Sequence, residues 1–131
     1  MSSKFTLGIM ALALMITGGC SSISGPTGGG DGVAFSANVQ PIFDLNCVAC
    51  HGASGGLDLS PALSYANLVS VESFGYSPHM LVQPGDPANS VLYGKVTGDS
   101  YGNRMPRGFG PLSDSEIEII RLWIEEGALA N

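Results

Sequence analysis

The sequence predicts an all-α domain of three to five short helices joined by Gly/Pro-rich loops. Apolar residues recur three and four positions apart in several short stretches, and no stretch alternates strongly enough to read as a strand. Ser113 and Glu116 have the spacing of a capping box, directly ahead of Ile117, Ile120 and Ile124 on one helical face. The long segment from Gly94 to Pro111 carries five glycines and two prolines and reads as loop.

The first nineteen residues stand apart from that domain. Lys4 precedes an uncharged, mostly apolar run from Phe5 to Thr17, 13 residues long, which suits a secretory signal and is too short to span a bilayer. Gly18-Gly19-Cys20 follows, a pattern that resembles the lipobox of bacterial lipoproteins, with Thr17 where Leu is usual. The expectation is a signal peptide over 1–19 and lipidation of Cys20. Ser21 after the cysteine resembles lipoproteins sorted to the outer membrane. The competing reading is an ordinary secreted chain cut nearby. Residues 20–33 form a Gly/Ser-rich linker that would hold the domain on the order of 20 Å from its anchor.

The domain itself spans 34–131. Val39, Ile42, Phe43 and Cys47 share a helical face, with Ser36 or Asn38 as N-cap and Pro41 tolerated in the first turn. A second helix is expected from Ser60-Pro61 to Val69. A third begins at Asp86-Pro87 and runs a turn or two through Val91, Leu92 and Tyr93. The last is bounded by Ser113 and Gly127, with Asp114 and Glu116 favouring its N-terminus and Trp123 widening its apolar face.

The chain has 131 residues and a net charge of −6, with 11 acidic against 5 basic residues. Removing 1–19 takes Lys4 away and leaves 112 residues at −7. That balance argues against nucleic acid and against docking on anionic lipid headgroups, and fits a basic or neutral protein partner.

With Cys20 assigned to the anchor, Cys47 and Cys50 remain, too few and too close for a disulfide framework. They belong to Cys47-Val48-Ala49-Cys50-His51. Two thiols separated by two residues match the two vinyl groups of haem, and the following histidine can ligate the iron. In an exported chain this signature is highly specific for covalent haem c. A zinc site would have to recruit Cys47, Cys50, His51 and distant His79, with adjacent Cys50 and His51 straining a tetrahedron. A redox dithiol would call for a βαβ setting, and no such pattern is visible.

Three residues compete for the sixth iron position: Met105, His79 and Met80. Met105 is favoured because it lies in a loop off any apolar helical stripe, and Pro106 restricts its backbone. A methionine there would raise the reduction potential and a histidine would lower it. Arg104 and Arg107 are candidate partners for haem propionates, although arginines in a solvated loop require no such role.

From Phe35 onward the chain resembles the class I cytochrome c superfamily, and more closely the small c-type domains of planctomycete-type and related bacterial envelope proteins. The shared pattern is Val39-Gln40-Pro41-Ile42-Phe43, the haem motif, Gly55-Gly56-Leu57-Asp58-Leu59, and Pro84-Gly85-Asp86-Pro87 ahead of Ser90-Val91-Leu92-Tyr93. Met105-Pro106, Leu112-Ser113 and Trp123-Ile124-Glu125-Glu126-Gly127-Ala128 complete it. The resemblance implies the cytochrome c fold, crossing N- and C-terminal helices, and Met105 as distal ligand. It also implies Ile120 and Trp123 packing near that crossing or the haem edge. The expected function is one-electron transfer between redox partners in the bacterial envelope, facing the periplasm, by a protein that is not itself an enzyme. The alternatives are a haem-based gas sensor or peroxidase-like enzyme with a displaceable sixth ligand, or an electron-wiring subunit of a larger oxidoreductase.

Overall fold

The computed structural model describes residues 32–52, 56–98 and 100–131. The signal segment, Cys20 and most of the linker lie outside the described residues. Within them the domain is all-α: a π-helical turn, Phe35–Val39, runs into α1, Gln40–Asn46, followed by α2, Ser64–Leu68, α3, Val91–Thr97, and α4, Asp114–Glu125. Among the described residues, β-type pairing is limited to isolated bridges: Val69 with Val82, Glu72 with Met80, and Met80 with Ser90. No helix among them is long and apolar enough to cross a membrane.

The first helix starts earlier than its sequence suggests. Ala34, not Ser36 or Asn38, is the cap position, and the Asn38 side chain accepts the Ala34 N–H at 2.9 Å. The reason is tertiary. The exposed N–H donors of the first turn are taken by residues far along the chain: Phe35 donates to Asn131 Oδ1 and Ser36 to the Asn131 carbonyl, both at 2.9 Å. Pro41 sits in the first turn of α1, as expected, where a missing donor costs little.

Both middle helices are displaced from their expected ranges. Residues 60–63 form a turn in which the Ser60 carbonyl accepts from Leu63 and Ser64, and regular helix begins at Ser64. Val69 leaves the helix for its bridge to Val82. Asp86 caps a turn by accepting the Asn89 N–H at 3.1 Å, but the helix waits until Val91 and then runs through Gly94 to Thr97. Gly94, expected to open the loop, is therefore helical. Buried Val91 and Val96 hold that segment in place against glycine's poor propensity.

The last helix matches its signals at both ends. The Ser113 hydroxyl accepts the Glu116 N–H while the Glu116 carboxylate accepts the Ser113 N–H, completing the capping box. At the other end Gly127 takes φ +100°. Its N–H reaches the Ile124 carbonyl, and that of Ala128 reaches Trp123, which is a Schellman closure.

The core lies between the N-terminal helical segment and α4. Trp123, Ile120, Ile124, Phe43 and Val39 are completely buried there. Phe35 stacks at a tilt on Trp123 with centroids 5.1 Å apart and meets Tyr65 edge-on at 5.3 Å. The polar atoms of these aromatics are satisfied locally: Trp123 Nε1 donates to the Leu129 carbonyl at 3.0 Å, and the Tyr65 hydroxyl to Ala128 at 2.9 Å. Trp123 and Ile120 thus fill the helix contact.

Candidate functional site

The haem-type motif falls where α1 unwinds. Cys47 is the last capping residue of α1, with its N–H still bonded to Phe43. The Cys47 carbonyl then accepts from both Cys50 (3.1 Å) and His51 (2.8 Å), curling the five residues into one turn. Leu59 donates to the His51 carbonyl at 2.6 Å and ties that turn to the chain beyond it. Cys47 is half-buried, Cys50 exposed, and neither is in a disulfide.

This turn borders a cleft of two adjoining lobes, about 270 and 160 Å³, which share Cys47, His51, Met105 and Pro106 as lining residues. The first lobe adds Cys50, Arg107 and Phe109. The second is walled mainly by aliphatic side chains, among them Leu57, Leu81, Leu92 and Leu112. Together they reach the size of a cofactor pocket, for which about 300–1,000 Å³ is usual.

Met105 is delivered to the cleft by a loop stitched onto α3. Its N–H donates to the Lys95 carbonyl at 2.8 Å, Arg104 Nε donates to the Val96 carbonyl at 3.0 Å, and Lys95 Nζ donates to the Asn103 carbonyl at 3.4 Å. The Met105–Pro106 peptide is cis. The other two candidates lie elsewhere. His79 is exposed, with Nδ1 3.4 Å from the Tyr101 hydroxyl, and Met80 is held by backbone bridges to Glu72 and Ser90. Neither lines either lobe.

The donor set discriminates among cofactors. Among the described residues, no three His, Cys, Asp or Glu side chains converge closely enough to hold a metal ion, so an all-protein zinc tetrahedron has no scaffold. Burial pushes the Cys47 thiol up to about 11, with the nearby charges of Glu116 and Cys50 adding to it. That is the wrong direction for a redox dithiol, whose attacking cysteine needs a depressed pKa. Haem c suits the residues better. Two thiols, an imidazole and a thioether border one apolar cleft. His51 Nδ1 is buried and has no hydrogen-bond partner among the described residues, as befits an imidazole awaiting further coordination or bonding.

Among the polar residues that line the second lobe, Ser73, Tyr76 and Lys95 are not marked by the sequence. The one available signal was a lysine set among Val91, Leu92 and Val96 in a short apolar helix. Of the two arginines weighed for propionates, Arg107 borders the first lobe, whereas Arg104 turns back to α3. Trp123 and Ile120 line neither lobe. Comparison with protein-family models, with curated proteins and with solved structures finds no match to this chain.

Proposed function

We propose that this chain is a single-haem c-type cytochrome with a cytochrome c fold, carrying one electron at a time between redox partners in the bacterial cell envelope. The observation that carries the reading is the meeting of Cys47, His51 and Met105 on one apolar cleft, formed from segments more than fifty residues apart.

Cys47 and Cys50 would hold the haem by thioether bonds, and His51 and Met105 would ligate its iron. When bound, the haem supplies a ferrous/ferric couple, the only redox chemistry the reading requires. The chain's own contribution is positional. The turn from Cys47 to His51 fixes thiols and imidazole as one unit, and the stitched loop presents the Met105 sulfur. A neutral thioether favours the reduced state, so Met105 sets a higher potential than a second histidine would. The mainly aliphatic wall of the second lobe would shield a bound haem from water, which suits an electron carrier. The acidic chain suits a basic or neutral docking patch on its partners and argues against nucleic acid. A lipid on Cys20 would tether it to the outer membrane on the periplasmic side.

The test is expression in a host that matures c-type cytochromes. Haem staining should survive denaturing electrophoresis and vanish in Cys47→Ala/Cys50→Ala. The far-red ferric band of thioether ligation should disappear in Met105→Ala and persist in Met80→Ala. Unstained wild-type protein would sink the reading. Prompt carbon monoxide binding to the ferrous protein would replace it with the sensor or peroxidase class.

A further inference from the structure

Among the described residues Phe74 is the large apolar side chain left completely in water: it is 107% exposed, against 46–83% for Leu45, Leu63, Phe109 and Leu129. Apolar residues exposed singly need no account. Phe74 differs because the loop that holds it out is fastened on both sides. The Ser73 N–H donates to the His79 carbonyl at 2.8 Å, the His79 N–H to the Tyr76 carbonyl at 2.9 Å, and the Ser77 hydroxyl to the Glu72 carboxylate. Ser73, directly before the ring, is 4% exposed. The loop is therefore ordered while its aromatic tip stays wet, so burying the ring against another molecule would cost little further backbone entropy.

Beside this ring lies a groove of about 500 Å³, walled by Leu57, Ala66, Val71 and Leu81 together with Phe74 itself. Leu57, Ser73 and Leu81 also line the second lobe, so the same side chains wall the groove on one side and the cleft on the other. Glu72 is the only charged residue among those that line the groove.

We infer that this groove and Phe74 form the docking site of a redox-partner protein, one that presents an apolar pocket for the ring and basic side chains for Glu72. The inference rests on the haem reading and says where its partner sits. A rigidly presented aromatic beside a concave surface is the usual make-up of an interface hot spot. The shared wall places a molecule docked here one layer of side chains from an occupant of the cleft, a short route for an electron. Charge selects the occupant. A second copy of the chain would bring another Glu72 and another net charge of −6 against the first, whereas a basic protein is attracted by both.

The experiment uses the full chain, matured with haem, as wild type, Phe74→Ala, Glu72→Gln and Leu45→Ala. Phe74 is fully exposed, and glutamine at 72 keeps an acceptor for Ser77, so both variants should fold. The probe is mitochondrial cytochrome c, a soluble redox protein of strongly positive charge. Its dissociation constant by titration calorimetry and the rate of electron exchange by stopped flow are read on each protein. Binding should weaken about tenfold or more in Phe74→Ala, with the exchange rate falling alongside and the midpoint potential unmoved. Glu72→Gln should flatten the salt dependence of binding. Leu45→Ala, exposed on α1 away from the groove, should change neither. Amide shifts of labelled wild type should move around residues 72–75 as probe is added. Unchanged binding in Phe74→Ala overturns the assignment, as does a loss confined to Leu45→Ala or a set of shifts confined to the mouth of the first lobe. A wild-type dimer in sedimentation that Phe74→Ala dissolves would hand the groove to a second copy and also overturns it. Wild-type protein without haem fails the functional reading, a result distinct from haem-loaded protein whose binding ignores Phe74.

Discussion

Gly94 offers a sharp test of how the Met105 loop is fastened. It lies inside α3, where alanine in place of glycine ordinarily adds about 1 kcal/mol of helix stability. Here a Cβ would stand 2.5 Å from Cδ2 and 2.7 Å from Cε2 of Tyr101, inside any real contact distance. The ring cannot swing aside freely. It meets Tyr76 edge-on and packs against His79, with centroids 5.3 Å away in each case. Overpacking of this kind costs about 1–3 kcal/mol, so it outweighs the propensity gain and Gly94→Ala should lose about 1 kcal/mol net, up to about 2. In a Tyr101→Ala background the obstacle is gone, and the same substitution should stabilise by about 1 kcal/mol. Urea unfolding of the four proteins measures both effects and their coupling. An identical effect in the two backgrounds, or a stabilised single variant, would refute the seating of Tyr101 on α3. In haem-loaded protein the clash should also weaken the far-red band, since Met105 follows Tyr101 by four residues on the same loop.

Other expectations concern the helix that closes the core. Ser113→Ala removes both the acceptor for the Glu116 N–H and the hydroxyl facing its carboxylate, and should cost about 1 kcal/mol in urea unfolding. The Ser113 hydroxyl and then its N–H hold the Glu116 carboxyl below its ordinary value of 4.5. A depressed folded pKa means stability that is present above the unfolded value and lost as pH falls through the folded one. Stability should therefore decline with acid below about pH 4.5, and this part of the decline should be absent in Glu116→Gln. Trp123→Ala opens a cavity in the fully buried core and strands the Leu129 carbonyl; about 3–5 kcal/mol should be lost, enough to abolish a cooperative transition in a marginal domain.

What could be read in advance follows the range of the interactions involved. The α4 helix was legible end to end because its capping box, apolar face and Gly127 closure are all local. The start of the first helix was not, because its N–H groups are satisfied by Asn131, some ninety-five residues on. The third helix was shifted by two local signals that tertiary packing overrode: Asp86 caps only a turn, and Gly94 is kept helical by its buried neighbours. The same division holds at the site. Cys47, Cys50 and His51 are contiguous and needed no fold to be noticed. Met105 was one of three candidates, and the fold alone brings it to the cleft while leaving His79 and Met80 outside. Ser73, Tyr76 and Lys95 carry no spacing that marks them as a set; a loop and a helix must first be folded together.

The distribution of apolar residues is the deeper sign that this domain is built around something. The chain seals Trp123, Phe43, Ile120 and Ile124 completely, so it is capable of a dry core. Yet Leu57, Leu81 and Leu92 stay only partly buried, and all three face the second lobe. Exposed leucines scattered singly would need no account, but leucines gathered on one concave wall forgo stabilisation at about 25 cal/mol for each Å² left wet. A domain this small has little stability to forgo. The economical completion is an occupant that covers this wall, and the polar groups around the cleft narrow its chemistry. Cys47 borders both lobes and Cys50 the first, while His51 and Met105 lie where the two lobes meet. An apolar body with reactive carbons at one edge and a ligand-hungry centre would complement these groups, as the proposed haem does.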